Sequence, residues 1–148
     1  MLPPLDAAHP TAAHPVAAEL TAVSLGGAIG ASLRHAVYAF APIPDLEFVL
    51  EAALETLAIN LVGALCLGLL YGLLSVRGGH PLLRPFLGIG VLGSFTTYST
   101  FVLEFSVIGR EDGHLAALAL ILGSLFLGVA AYQLGHHLAT GPKREKTR

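Results

Sequence analysis

Charged residues are scarce in this sequence. They make up 12% of the 148 residues, hydrophobic residues make up 54%, and the formal net charge is −2. A soluble domain contains roughly 25% charged residues, so the composition excludes an extended soluble enzyme and indicates a protein embedded in lipid. A nucleic-acid partner is also excluded, because the few basic residues do not make an extended basic surface.

Cysteine is nearly absent and tryptophan is missing. Cys66 is the single cysteine, which rules out an intrachain disulfide and leaves the redox compartment open. No Lys or Arg precedes the first hydrophobic run, so residues 1–18 do not have the basic start of a signal peptide. We predict that they form a disordered extension, that residues 19–140 form the membrane domain and that residues 141–148 form a basic tail.

Four long apolar segments fill most of the chain, at residues 20–41, 56–76, 85–103 and 115–138. A helix that crosses a bilayer needs about 20 predominantly apolar residues, and each segment is long enough. A soluble four-helix bundle would need polar outer faces, which these segments lack. The sequence therefore predicts an all-α membrane protein with four antiparallel transmembrane helices and both termini on one side.

Basic residues distinguish the two ends of this predicted bundle. Six lie on the side of the termini, namely Arg77, Arg84, Lys143, Arg144, Lys146 and Arg148. On the opposite side there is only Arg110. Since Lys and Arg are enriched in cytoplasmic loops, we expect a multi-pass protein of the inner (plasma) membrane with cytoplasmic termini.

The first apolar segment contains a face of small residues and one arginine. Gly27, Gly30 and Arg34 lie at positions i, i+3 and i+7, and Gly26 and Gly30 form a GxxxG pair. Such glycines let a neighbouring helix approach closely. Two roles are open to Arg34: its guanidinium clamps backbone carbonyls and helix ends, or it attracts an anion directly.

The second and third segments carry polar groups at membrane depth, where such groups are costly and point to function. Asn60 precedes Gly63 by three residues, so its amide either joins two helices or binds a ligand. The third segment concentrates glycines and hydroxyl residues in GIGVLGSFTTYSTF. This pattern predicts a broken helix, whose freed carbonyls favour a hard cation. Tyr98 and Phe101 share a face beyond the break, where their ring edges meet an anion or pack in a core.

Three segments, GGAIGASLRH, TLAINLVGALCLG and GVLGSFTTYSTFVLE, resemble in sequence and order the signature segments of the Fluc fluoride channels, also called CrcB. The resemblance extends from residue 25 to the end of the fourth apolar segment. It implies a four-helix subunit with a break in the third helix, and an antiparallel dimer that contains two narrow fluoride pores. It also implies a structural sodium ion at the centre of the dimer interface.

The resemblance also implies roles for individual residues. The fluoride path would be lined by Asn60, Tyr98, Ser99, Thr100 and Phe101. Sodium would be bound by the backbone carbonyls of Gly93 and Thr96 from each subunit. Arg34, Gly27 and Gly30 would have structural roles, and Ser124 would belong to the pore wall. The sequence departs from the family pattern at Tyr98, where Phe is more usual, and at Ser94, where a second glycine is more usual.

The resemblance therefore implies a channel, not an enzyme, that exports cytoplasmic fluoride passively, with fluoride, sodium and membrane lipid as partners. One alternative is a small multidrug-type exporter, but proton coupling would require a membrane carboxylate, and the first segment has none after Glu19. Another is a non-transporting assembly subunit, which would leave Asn60 and TTYSTF unexplained. The antiparallel partner would be an inverted copy of the same chain or an oppositely oriented homologue.

Overall fold

The computed structural model describes residues 16–40, 48–111 and 113–141. The predicted tail lies outside these residues except for Gly141, and the predicted extension lies outside them except for its last three residues. Most of the described residues are helical, with helix α1 at Val16–Phe40, α2 at Phe48–Arg77, α4 at Ser99–Glu111 and α5 at His114–Thr140. Helix α3 consists of a π-helical stretch, Arg84–Leu92, and one α-helical turn, Gly93–Phe95.

The four predicted membrane spans are confirmed. Helices α1, α2 and α5 and the pair α3 and α4 are long and apolar enough to cross a bilayer. Along α1, Gly26 lies against Phe86 and Arg34 reaches Thr96, so α1 and α3 run parallel. Because consecutive spans are joined by short connections, their directions alternate, and α1 begins on the side of the bundle where α5 ends.

Two helices begin earlier than predicted. Helix α1 starts at Val16, inside the predicted disordered extension, and α2 starts at Phe48, between the first two predicted apolar segments. Both additional stretches, VAA and FVLEAALE, contain mostly residues with good helix propensity. Hydropathy marks the part of a helix that lies in lipid, whereas helix propensity extends the helix beyond it.

Helix α1 packs against α3 through backbone contacts that only glycine permits. A Cβ on Gly26 would overlap the carbonyl oxygen of Phe86, and a Cβ on Gly30 would overlap the carbonyl oxygen of Val91. Helix α3 is also wound more loosely than an α-helix, since the N–H of Gly93 donates to the carbonyl of Gly88, five residues earlier. A π-helical stretch of this kind is uncommon and occurs frequently at functional sites.

Helices α2 and α5 form the second close pair in the bundle. A Cβ on Gly68 would overlap the carbonyl oxygen of Tyr132, and a Cβ on Gly135 would overlap the carbonyl oxygen of Leu65. The two helices therefore approach each other reciprocally, each through its own glycine. Close backbone approach through small residues is the usual way in which helices associate in a membrane, and here it fixes α2, the helix that carries Asn60.

Gly30→Ala is expected to lower the free energy of unfolding by about 1–3 kcal/mol, the usual cost of overpacking. The added Cβ would meet the backbone carbonyl of Val91, which cannot rotate away. Gly27→Ala is the matched control on the same helix, because its Cβ would lie 3.2 Å from Oγ of Ser94, a hydroxyl that can rotate. Thermal unfolding of the purified variants measures the difference, and equal melting temperatures would contradict this account of the packing.

Candidate functional site at the interruption of the third span

Helical hydrogen bonding stops in the middle of the third span. The N–H of Thr96 still donates to the carbonyl of Leu92 at 3.1 Å. Thr96 itself has extended backbone angles, with φ −72° and ψ 159°, and α4 begins only at Ser99. An interruption at membrane depth exposes backbone groups, which in lipid must be satisfied from within the protein.

Asn60 on α2 satisfies both backbone groups of Thr97. Its side-chain oxygen accepts the N–H of Thr97 at 2.9 Å, and its side-chain nitrogen donates to the carbonyl of Thr97 at 3.0 Å. One turn further along α2, a Cβ on Gly63 would overlap the Cγ2 methyl of Thr96. The absence of a side chain at Gly63 therefore lets the interrupted segment approach α2 closely enough to reach the amide.

Arg34 on α1 contacts the interruption from the other side. The guanidinium of this half-buried residue donates from Nη1 to the carbonyl oxygen of Thr96 at 2.9 Å. The sequence left two roles open for Arg34, a clamp on backbone carbonyls and direct attraction of an anion. The contact seen in the structure is of the first kind. The interrupted segment is thus held between an amide on α2 and a guanidinium on α1.

Thr97 caps the helix that follows the interruption. Its hydroxyl oxygen accepts the N–H of Thr100 at 3.3 Å and lies 3.0 Å from the hydroxyl of Thr100. The same oxygen lies 3.5 Å from the hydroxyl of Ser99. Threonine is a favoured residue at a helix N-cap, where it satisfies an N–H that has no helical partner. Thr97 is only 7% exposed, and it is a site residue that sequence reasoning did not single out.

A groove of about 510 Å³ opens beside the interruption, between α2, α3, α4 and α5. Its walls are mostly apolar. A few lining residues have a polar side chain, an aromatic ring or a freed carbonyl, namely Asn60, Gly93, Thr96, Thr97, Tyr98, Phe101 and Ser124. Ser99 and Thr100 are not among the lining residues, because their hydroxyls lie beside Thr97 instead. Tyr98 is 79% exposed, so its ring lies at the open side of the groove.

Most of the predicted site residues are thus brought together. Asn60, Tyr98, Phe101, Gly93 and Thr96 line one groove, and Ser124 faces them from α5. The hydroxyl of Ser124 donates to the carbonyl of Leu120 at 2.7 Å, which leaves its oxygen lone pairs available to accept a hydrogen bond. Gly27 and Gly30 lie away from the groove, at the contact between α1 and α3.

The oxygen atoms at the interruption are suited to one class of metal ion. Among the residues that the structure describes, no three His, Cys, Asp or Glu side chains are grouped as a metal site. The available donors are backbone carbonyls of an unwound segment, and such carbonyls coordinate Na⁺ in other membrane proteins. The carbonyls that could hold a hard monovalent cation are those of Gly93 and Thr96, and the carbonyl of Thr96 would be shared with the guanidinium of Arg34.

Fold and site together define a small helical membrane protein whose third span is interrupted beside an uncharged groove. The chain belongs to the CrcB family: the family model described as "CrcB-like protein, Camphor Resistance (CrcB)" matches residues 21–136. It is 40% identical over 119 residues to the fluoride-specific ion channel FluC of Paracoccus denitrificans, across 80% of this chain and 92% of that protein. It is 35% identical over 135 residues to the fluoride-specific ion channel FluC 2 of Nocardia farcinica, across 90% of this chain and 86% of that protein.

Proposed function

We propose that this chain is the subunit of a passive fluoride channel of the inner membrane, which lets cytoplasmic fluoride leave the cell. The observation that carries the proposal is the groove beside the interruption, where an amide, hydroxyls and aromatic rings line an otherwise apolar wall. The names of the relatives support it, since both are fluoride-specific ion channels. The physiological result would be lower fluoride toxicity.

The chemistry of the groove suits a small anion. An isolated anion in hydrocarbon costs tens of kcal/mol by the Born estimate, so a pore must replace its hydration shell. The hydroxyls of Ser124 and Thr96 already donate to backbone carbonyls. The groups that offer such replacement are therefore the second N–H of the Asn60 amide and the positive ring edges of Phe101 and Tyr98. None of these groups carries a full charge, so an anion in the groove is stabilised weakly enough to leave again, as conduction requires.

A second subunit would complete the pore. The groove is open to the outside of the single chain, and two of its lining residues, Tyr98 and Leu125, are 79% and 59% exposed. An antiparallel dimer would enclose two such grooves and bring the carbonyls of Gly93 and Thr96 from both subunits to one place. A sodium ion bound there would supply fixed positive charge close to the anion paths. The termini would lie in the cytoplasm, on the side with more Lys and Arg.

Proteoliposomes that contain the purified protein and fluoride are expected to empty when an ionophore for potassium clamps the voltage. A passive channel needs no coupling ion, and no carboxylate follows Glu19 in α1 to serve a proton-coupled exporter. A fluoride electrode measures the efflux, and vesicles loaded with chloride are the control. Retention of fluoride by vesicles in which crosslinking shows a folded dimer would contradict the channel proposal.

Two ring variants give the same assay its internal controls. Phe101→Ala removes a ring edge from the groove and should slow efflux, whereas Tyr98→Phe keeps the ring and removes only a hydroxyl, so efflux should be preserved or raised. Both residues line the groove. The dimer yields of the two variants should match that of the wild type. If Phe101→Ala conducts fluoride as fast as the wild type, Phe101 does not line the fluoride path. The channel proposal itself would be unaffected.

A further inference from the structure

Two carbonyls at the interruption lack their usual helical partners. In an uninterrupted α-helix the carbonyl of residue i accepts the N–H of residue i+4, so Gly93 would accept from Thr97 and Thr96 would accept from Thr100. In the structure the N–H of Thr97 donates to the side-chain oxygen of Asn60 at 2.9 Å. The N–H of Thr100 donates to the hydroxyl of Thr97 at 3.3 Å. Two side chains thus take up the N–H groups that would otherwise occupy these carbonyls.

The two carbonyls differ in what replaces the missing donor. The carbonyl of Thr96 accepts a hydrogen bond from Nη1 of Arg34 at 2.9 Å. The carbonyl of Gly93 has only a long contact, 3.5 Å, with the hydroxyl of Thr96. That hydroxyl lies closer to the carbonyl of Leu92, at 3.0 Å. The carbonyl of Thr96 keeps its second lone pair, and the carbonyl of Gly93 has no strong hydrogen-bond donor. Both carbonyls therefore retain the capacity to bind a cation.

We propose that Asn60 is a positioning residue for the cation site: by holding the N–H of Thr97, it keeps the carbonyl of Gly93 out of a helical hydrogen bond and available to sodium. This inference rests on the proposed function, because it requires that sodium binds at the interruption. It gives Asn60 a role distinct from that of an amide donor to fluoride, since the acceptor atom of the amide acts here and not its N–H groups.

The geometry explains why an amide is required at this position. Thr97 is 7% exposed, and a buried N–H without a partner is costly. With Asn60→Ala, the nearest acceptor of suitable helical geometry for the N–H of Thr97 is the carbonyl of Gly93, four residues earlier. Closure of that bond would continue α3 by one residue and withdraw a ligand from the cation. Asn60 therefore acts on sodium through Thr97 without touching the ion.

The test compares variants at position 60 by their thermal stability in sodium and in potassium at equal ionic strength, since an ion that binds only the folded state raises its stability. Asn60→Ala and its larger apolar counterpart Asn60→Leu should lose the sodium-specific rise in melting temperature, with apparent sodium affinity at least about tenfold weaker. Asn60→Asp keeps an acceptor for the N–H of Thr97 and should retain the sodium-specific rise, although loss of the N–H that donates to the carbonyl of Thr97 should lower its melting temperature in both salts. Its fluoride efflux should fall because the donor N–H groups are lost. If Asn60→Ala does not fold, Asn60→Leu replaces it in this comparison.

Thr56→Val is the matched control on the same helix. It removes the contact of 3.3 Å between the hydroxyls of Thr56 and Tyr38, one turn from Asn60, and should lower the melting temperature equally in both salts. Retention of the sodium-specific rise by Asn60→Ala or Asn60→Leu, or its loss in Asn60→Asp, would overturn the inference. Absence of the rise in the wild type would overturn it together with the sodium site. Fluoride efflux by the same wild-type sample tests the channel proposal separately.

Discussion

Arg34→Gln is expected to slow fluoride efflux by about 10- to 100-fold, because it removes the guanidinium that donates to the carbonyl of Thr96 at 2.9 Å. A hydrogen bond to a charged group contributes about 1.5–3 kcal/mol, and each 1.36 kcal/mol in a barrier corresponds to about tenfold in rate. The substitution releases one of the two contacts that hold the interrupted segment, so the groove beside it should lose its shape. Efflux from proteoliposomes and the yield of folded dimer are measured together.

Arg34→Lys separates the two roles that are open to this arginine. Lysine keeps the positive charge but has a shorter reach and presents a point charge in place of a planar fork of donors. If Arg34 acts by holding Thr96, the lysine variant should conduct nearly as slowly as the glutamine variant. If Arg34→Lys conducts as fast as the wild type, direct attraction of the anion by the positive charge is favoured instead. If efflux by Arg34→Gln stays within twofold of the wild type, both roles are excluded. Arg77→Gln is the control, because Arg77 is exposed at the end of α2.

The number and location of the membrane spans could be predicted because they depend on one local property. A bilayer requires a long apolar run for each helix, and the four runs of the sequence coincide with the four spans of the structure. The helix ends were predicted less well, since outside the lipid the start of α2 at Phe48 depends on helix propensity. The π-helical winding of Arg84–Leu92 was not predicted. It lies where α1 packs closely against α3, and that contact is a property of two segments and not of one.

The site shows the same division between local and long-range information. The glycines and hydroxyl residues of the third segment predicted where regular winding ends, because their composition is local. The pairing of Asn60 with Thr97 joins residues 37 positions apart in the sequence, and one sequence contains no signal for such a contact. For the same reason Ser99 and Thr100 were expected in the fluoride path, whereas their hydroxyls lie beside the capping hydroxyl of Thr97.

The distribution of basic residues predicts that most copies of this chain insert in one orientation. Six Lys and Arg residues lie on the side of the termini and one lies on the opposite side, and such a bias places the richer side in the cytoplasm. In a Cys66→Ser background, an impermeant thiol reagent applied to intact spheroplasts should label Ile43→Cys and should not label Thr147→Cys. Permeabilised membranes, in which both cysteines are accessible, are the control. Equal labelling of the two positions in intact spheroplasts would contradict a fixed orientation.

A fixed orientation restricts the source of an antiparallel partner. If rare inverted copies of the same chain supply it, dimerisation would trap them, and adding basic residues to the segment before α2 should increase their number. Glu47→Lys should then raise both the inverted fraction and the fluoride efflux of cells that express only this chain, with Glu47→Gln as the control for loss of the acidic charge. If a second homologue of opposite orientation supplies the partner, the wild-type chain alone should conduct little, and co-expression of that homologue should restore efflux. Full efflux by a dimer of the wild-type chain alone would exclude the need for a second protein.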